Sequence, residues 1–393
     1  MHNRFSDNYL VPVFIGSFFF QYPLFKTTTG QTFATPHLFT PLFLFYLFVR
    51  NRDFKFCLSD VIAFLLFSLA VFTNFLNAEA FVCYAYLGVA TSGYITGRVF
   101  LSSYGPNEFR SLCNRTVIFV IGVVILRNLF WINDLEVIYQ RGREMPGTAF
   151  LISSGGKNIE CVHLAALSLF AYNRFTFFAV FLIATVTSVL MESRAGIIGC
   201  IIAIGFWNLR TKGFNSKYFA ITPVLLSAVL LPILFYTSLG DRFFNTRQTE
   251  IELVEHSTGR IFIWQSAFYA ARENFGILGS GVGTSIDSLF QLTGVVIKND
   301  NLHNIFLTYL LDVGIIFVIG FFYILFLSIK SLIIDKNLLS RFFIFYSILS
   351  CVQFTGYDIL GWFFIGMSVD STAGMKQRDY VPRATAVKLP QRV

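Results

Sequence analysis

Charged residues are scarce in this chain. Of its 393 residues only 13% are Asp, Glu, Lys or Arg, roughly half the fraction that soluble domains carry. This scarcity excludes an ordinary soluble globular protein. The N-terminal stretch "MHNRFSDNYL" also lacks the small-residue cleavage pattern of a secretory signal peptide, so we expect no such peptide.

Cysteines at metal-binding spacing are absent as well. The six cysteines are scattered along the chain, and no two of them form a C-x-x-C motif. We interpret them as small apolar packing residues and predict neither a disulfide framework nor a metal site. The chain has a net charge of +8, but its sequence contains no soluble domain with a stripe of basic residues. Nucleic acid is therefore not an expected partner.

Long apolar runs make up much of what is present. Hydrophobic residues account for 55% of the chain, and runs such as "DVIAFLLFSLAVFTNFL" approach the roughly 20 apolar residues that cross a bilayer as a helix. We predict an all-α polytopic membrane protein, with residues 1–393 as one integral membrane domain. It has about twelve candidate spans, at about 9–22, 33–49, 57–75, 80–98, 115–133, 159–172, 175–191, 195–209, 218–237, 304–329, 338–354 and 357–369.

Basic residues orient these spans, because Lys and Arg concentrate in cytoplasmic segments. With the N-terminus inside, most of the 30 basic residues fall on the inner side, and every predicted inner segment has at least one. Both termini are then cytoplasmic, and residues 370–393 form a polar cytoplasmic tail. Two long loops, 134–158 and 238–303, face the outside.

The second outer loop is predicted to be a helical periplasmic domain. Within it, "STGRIFIWQSAFYAARENFG" has Ile261, Trp264, Phe268, Ala271 and Phe275 at helical spacing, which predicts an amphipathic helix. We expect its apolar face to rest on the membrane interface or on the bundle. The following "GILGSGVGTS" is a glycine-rich turn, and it is no P-loop because no Gly-Lys-Ser/Thr follows.

Three basic side chains are predicted to face the same outer compartment. Arg194 lies in the turn "MESRAGIIG", Arg260 lies near the helix start in "TGRIFIW", and His303 precedes the tenth span in "LHNIFLTYLLDVGII". A helix N-terminus favours an anion, and the planar arginine fork matches phosphate oxygens. Two arginines suit a diphosphate, and a histidine can accept a proton from a sugar hydroxyl.

These three motifs resemble the signatures of the O-antigen ligase and O-antigen polymerase superfamily. The resemblance covers residues of about 190–320 in "SRAGIIG", "TGRIFIWQSAF" with "GILGSGVG", and "LHNIFLTYLLDVGII". It implies a bacterial inner-membrane glycosyltransferase of the GT-C type. Such an enzyme transfers a glycan from undecaprenyl diphosphate to an acceptor sugar at the periplasmic side, with inversion and without a metal or a nucleotide-sugar cofactor.

The resemblance also assigns roles to residues. Arg194 and Arg260 fall on the family arginines proposed to hold the diphosphate, and His303 falls on the proposed base. The expected partners are the undecaprenyl-diphosphate-linked oligosaccharide, membrane lipid, and either an acceptor glycan or lipid A-core. A chain-length regulator is a further expected partner.

Other polar residues are candidates for substrate binding or for structural roles. His256 is an alternative base, and Glu160 and His163, which open the sixth span, are interpreted as packing residues. Predicted substrate-binding residues are Arg127, Arg141, Arg143, Asn304 and Arg272.

Alternatives remain open at this point. In the ligase pattern, the position occupied here by Phe317 is Gly, Thr or Tyr, and we therefore favour a repeat-unit polymerase over a ligase. A transporter or flippase of lipid-linked glycans is an alternative of another class, although such proteins usually have a long central cytoplasmic loop. A scaffold without chemistry would make Arg194, Arg260 and His303 dispensable.

Overall fold

A computed structural model describes most of the chain. The ninth predicted span, 218–237, and the predicted tail, 370–393, lie outside the described residues. The described ranges are 4–21, 23–26, 32–50, 56–77, 81–130, 157–191, 193–212, 260–274, 277–294, 302, 304–335, 337–351 and 357–368.

The described residues form fourteen helices. The sixth ends in a 3₁₀ turn, Ser168–Phe170. In chain order they are α1 (Arg4–Phe20), α2 (Thr35–Arg50), α3 (Leu58–Leu76), α4 (Phe81–Ser103), α5 (Pro106–Phe130), α6 (Lys157–Leu167), α7 (Arg174–Leu190), α8 (Arg194–Lys212), α9 (Arg260–Asn274), α10 (Ser285–Thr293), α11 (Ile305–Asp312), α12 (Ile315–Ile333), α13 (Ser340–Ser350) and α14 (Ile359–Ser368).

The predicted helical class is confirmed, with one small exception. Two short antiparallel strands, β1 (Pro23–Lys26) and β2 (Thr32–Ala34), form a hairpin between α1 and α2. The sequence analysis did not predict this hairpin. It lies in the predicted outer connection between the first two spans, where the chain reverses direction.

Helices lie at eleven of the twelve predicted span positions. Within the described part of the chain, α3, α5 and α12 are long and apolar enough to cross a membrane. Shorter apolar helices lie at Asp7–Phe20, Asn158–Phe170, Arg174–Leu190 and Ile359–Ser368. The membrane class is therefore supported, while the count of twelve stays a prediction.

The tenth predicted span, 304–329, is not one continuous helix. It divides into α11 and α12 at Val313 and Gly314, and Gly314 has a left-handed φ of +96°. A Cβ on this glycine would overlap the carbonyl oxygen of Ile277. The hydrophobic pattern alone could not reveal this break, because apolar residues continue on both sides of it.

Glycines allow α4 and α14 to approach closely. Gly93 and Gly97 are spaced as in the small-x-x-x-small pattern of packed membrane helices. A Cβ on Gly93 would lie 2.7 Å from the carbonyl oxygen of Ile359, and one on Gly97 would overlap that of Phe363. The two helices therefore contact each other through backbone atoms, and α14 is almost entirely buried.

Polar contacts join helix ends that the predicted topology puts on the same side. On the predicted inner side, buried Arg98 binds Asp60 through both carboxylate oxygens, at 2.6 and 2.7 Å, and Arg341 donates to the carbonyl oxygen of Leu169 at 2.9 Å. These side chains stabilise the predicted inner ends of α3, α4, α6 and α13.

The predicted outer ends contact each other in the same way. Gln21, after α1, donates to Asp358, before α14, at 2.6 Å. Asn77, after α3, donates to the carbonyl oxygen of Gly279 at 3.1 Å. The contacts thus agree with the predicted alternation of the helices, and the compartment that each layer faces stays a prediction.

Candidate functional site

The residue after His303, the predicted base, caps the start of α11. Asn304 caps this helix: its side-chain oxygen accepts hydrogen bonds from the backbone N–H groups of Phe306 and Leu307, at 3.0 and 3.1 Å. Because this oxygen completes the first helical turn, Asn304 also has a structural role beside its predicted substrate contact. His303 itself lies outside the described residues.

A hydrogen bond ties the third motif to the second. The indole Nε1 of Trp264, on α9, donates to the carbonyl oxygen of Leu302 at 3.0 Å. Leu302 immediately precedes His303, and Arg260 precedes Trp264 by about one helical turn. The hydrogen bond therefore brings the first turns of α9 close to Leu302. The side chain of Arg260 lies outside the described residues.

The glycine-rich loop, residues 277–284, connects α9 to α10 and packs over the end of α11. The backbone N–H groups of Ser280 and Gly281 donate to the carbonyl oxygens of Leu311 and Asp312, both at 2.8 Å. A Cβ on Gly279 would overlap the carbonyl group of Asp312. Gly279 therefore serves backbone-to-backbone packing, and the expectation that this segment is no P-loop stays a prediction.

Asp312 is the centre of this contact. Its fully buried carboxylate accepts hydrogen bonds from the N–H groups of Gly283 and Ser285, both at 2.8 Å, and from the Tyr357 hydroxyl at 2.9 Å. Ser285 begins α10, so Asp312 caps a helix that is distant in sequence. The second and third motifs are thus joined by one side chain that the sequence analysis did not single out.

Arg194 begins α8, directly after the turn that follows α7. Gly196, two residues later, allows α8 to pack tightly on α6, since a Cβ there would lie 2.5 Å from the Cβ of Cys161. Arg194 is partly buried. The first motif therefore lies beside the α6 segment that carries Glu160 and His163.

Arg127, in the last turn of α5, forms an ion pair with Glu160 of α6. Its Nη1 donates to the Oε1 of Glu160, whose side chain is 2% exposed. Within the described residues, the Nη2 of Arg127 has no hydrogen-bond partner. Arg127 is therefore held by α6, with one terminal nitrogen that could still donate to an anion.

His163 belongs to a second buried polar contact. Its Nδ1 lies 3.0 Å from the carbonyl oxygen of Phe19, and its Nε2 lies 3.6 Å from Oδ2 of Asp358. Since a carbonyl oxygen can only accept, Nδ1 carries the proton of that bond. The interpretation of His163 as a packing residue is incomplete, because it also connects α1, α6 and α14 through polar contacts.

Tyr357 and Asp358, which are consecutive in the chain, connect the contacts around Asp312 with those around His163. Tyr357 binds Asp312 at the end of α11, and Asp358 contacts Gln21 and lies near His163 on α6. A continuous series of contacts therefore runs from the glycine-rich loop to the helix that packs against the start of α8. The only sequence signal for this series was the presence of ionisable residues in apolar segments, which are functional or paired by default.

The remaining candidate residues are Arg141, Arg143, His256 and Arg272. Arg141, Arg143 and His256 lie outside the described residues. Arg272, on α9, is 79% exposed, and its Nε lies 3.9 Å from Glu273. Within the described ranges, no three His, Cys, Asp or Glu side chains are grouped as metal ligands would be. The metal independence implied by the resemblance therefore stays a prediction.

The fold and these contacts define a helical membrane protein, with the helices α9 to α11 in the part of the chain that is predicted to face outside. Residues 179–355 match the model of a family described as O-antigen ligase. No curated protein matches the chain. The matched segment covers a little under half of the chain and contains all three motifs. Over this segment the resemblance to the O-antigen ligase and polymerase superfamily is confirmed.

Proposed function

We propose that this protein transfers a glycan from undecaprenyl diphosphate to an acceptor sugar at the periplasmic face of the bacterial inner membrane. Arg194 and Arg260 hold the diphosphate, and His303 is the general base. The first candidate reaction is the polymerisation of O-antigen repeat units. The acceptor is then a second lipid-linked unit, and no metal takes part.

The observation that carries this proposal is the hydrogen bond between Trp264 and Leu302. It connects α9, one helical turn after Arg260, to Leu302, the residue that precedes His303 in the sequence. The capped start of α11 gives the chain after His303 one defined direction. This arrangement suits a base next to a bound anion.

The chemistry follows from the leaving group. The acceptor hydroxyl attacks the anomeric carbon, the bond to the diphosphate oxygen breaks, and the hydroxyl proton moves to His303. The arginines stabilise the charge that develops on the diphosphate, which is worth several kcal/mol in a water-poor site. Attack opposite the leaving group inverts the anomeric centre. The Nη2 of Arg127, which has no hydrogen-bond partner among the described residues, is a further donor for the same anion.

The ligase is the second candidate, and the description of the matching family favours it. Our preference for the polymerase depends on Phe317. In the structure Phe317 is 1% exposed and packs against the Tyr309 ring, with a centroid distance of 4.7 Å. Its departure from the ligase pattern is thus a change in packing between α11 and α12, so Phe317 does not by itself separate the two reactions.

Deletion of the gene separates these candidates. Loss of polymer with single repeats still on lipid A-core means a polymerase, and core alone with polymer on the lipid carrier means a ligase. Single lipid-linked units retained on the cytoplasmic face mean a flippase. Normal surface glycan in the deletion strain would contradict all three.

Replacement of His303 by alanine is expected to lower kcat by about 10²–10⁴-fold, because a positioned base contributes that much. The KM for the lipid-linked donor should change little, since the arginines still bind it. The measurement is glycan transfer by purified protein in nanodiscs. The control is His256→Ala, which should keep nearly full activity. Loss of activity in the control, with activity retained in His303→Ala, would make His256 the base.

A further inference from the structure

An open groove lies beside the start of α11, between α9, α11 and α12. It has a volume of about 580 Å³ and a mainly apolar lining. We call it the aromatic groove. Its walls are Trp264, Phe268 and Tyr269 of α9, Phe306 and Leu307 of α11, and Phe322 of α12, with Gln265, Arg272 and Asn304 as polar members.

The α9 wall of this groove is formed by the face that the fold leaves exposed. Phe268 is 63% exposed and Tyr269 is 57% exposed, whereas Ile263 and Ala267 are fully buried against α10 and α11. Of the predicted apolar stripe, Ala271 belongs to the buried face and Phe268 to the exposed face. That the stripe rests on the membrane interface or on the bundle stays a prediction. Small residues make the helix packing because they allow close approach, and the large aromatic Phe268 of the predicted stripe faces away from it.

The other wall connects the outer segment to the membrane. The rings of Phe306 and Phe322 are stacked, with centroids 4.4 Å apart and an interplanar angle of 5°. Phe322 lies on α12, one of the three described helices that are long and apolar enough to cross a bilayer. The groove therefore runs from Asn304, next to His303, to the flank of a membrane-spanning helix.

We propose that the aromatic groove binds the isoprenoid chain of the lipid-linked donor. The proposal rests on the proposed function, because that function puts the diphosphate beside His303. From this point the chain must pass from the outer segment into the bilayer, and the groove follows that path. Its apolar walls match a hydrocarbon, while a glycan would need many more polar partners than Gln265, Arg272 and Asn304.

The expected consequence is selection for a long isoprenoid chain. Each buried CH₂ group favours binding, so a chain that fills the groove binds more tightly than a short one with the same diphosphate. Phe268 and Leu307 line the groove. Phe262 is 37% exposed on the same helix and does not line it, which makes it a matched control.

The test compares binding of undecaprenyl diphosphate with that of geranyl diphosphate to the protein in nanodiscs. Phe268→Ser and Leu307→Trp should weaken binding of the long chain about tenfold and change binding of the short chain less than about twofold. Phe262→Ser should change neither. Glycan transfer from donors with the same two chains should show the same pattern in KM.

Other results would overturn the proposal. Unchanged binding of the long chain in Phe268→Ser and Leu307→Trp would mean that the chain lies elsewhere. Equal weakening for both chains, or full displacement of the long chain by phospholipid, would mean that the groove binds a headgroup or bulk lipid. Since binding is measured without transfer, an inactive wild-type protein that still shows chain-length selection would contradict the proposed function and leave the groove assignment in place.

Discussion

Replacement of Asp312 by alanine is expected to detach the glycine-rich loop from α11 and to lower the free energy of unfolding by several kcal/mol. The change leaves the buried N–H group of Ser285 and the buried hydroxyl of Tyr357 without their acceptor, and it also removes the acceptor of the partly buried N–H group of Gly283. Each buried donor left without a partner costs about 1–3 kcal/mol. Asp312→Asn should cost less, because an amide oxygen can still accept from one side.

The measurement is the thermal unfolding midpoint in detergent, together with protease cleavage in the glycine-rich loop. The control is Asp287→Ala, because Asp287 is an exposed carboxylate in the first turn of α10. It should cost less than about 1 kcal/mol, the value of an exposed charge at a helix N-terminus. Equal midpoints for the alanine variants of Asp312 and Asp287 would show that the buried carboxylate does not hold the loop.

Glycan transfer by Asp312→Ala should also be lost, although Asp312 contacts no reacting group in our proposal. The side chain holds the loop and α10 against α11, whose first residues follow His303. Asp312→Asn should recover part of the activity in proportion to the recovered unfolding midpoint. A variant with a normal midpoint and no activity would instead indicate a direct role in the reaction.

Replacement of Gly97 by alanine is expected to separate α4 from α14 and to destabilise the bundle by about 3 kcal/mol, the upper range for overpacking. The new Cβ would overlap the carbonyl oxygen of Phe363 and would lie 3.0 Å from the backbone nitrogen of Met367. Backbone atoms cannot rotate away as a side chain can, so the whole helix must shift.

Gly88 is the matched control on the same helix, because a Cβ there meets nothing within 4 Å. Gly88→Ala should keep or raise the unfolding midpoint, since alanine favours helix over glycine by about 1 kcal/mol. The two substitutions are chemically identical and have opposite expected signs. If Gly97→Ala unfolds at the same temperature as Gly88→Ala, the close contact between α4 and α14 is wrong.

Local sequence features located most of the helices. Apolar runs of the right length predicted helices at eleven span positions, and the helix α9 was predicted from its amphipathic spacing. The hydrophobic periodicity gave a wrong prediction where contacts between distant segments determine the structure. It gave one helix across Gly314, where the chain turns to receive Ile277.

The candidate site shows the same division. Arg194, Arg260 and His303 were predicted from three motifs, because residue type and order along the chain carry that information. Asp312, Tyr357 and the contact of His163 with Asp358 were not predicted as parts of one arrangement. Their partners lie up to 195 residues away in the sequence. The hydrophobic pattern of the sequence does not indicate which distant residues are in contact.

The sequence by itself determined that this is a helical membrane protein, where most of its described helices lie, and which superfamily its three motifs resemble. These properties depend on hydropathy and on short motifs, which are local. Only the tertiary structure decided that the glycine-rich loop binds the end of α11 through Asp312, and that α4 and α14 touch through backbone. Such contacts form when distant segments are folded together, and their energy depends on distances that no single segment specifies.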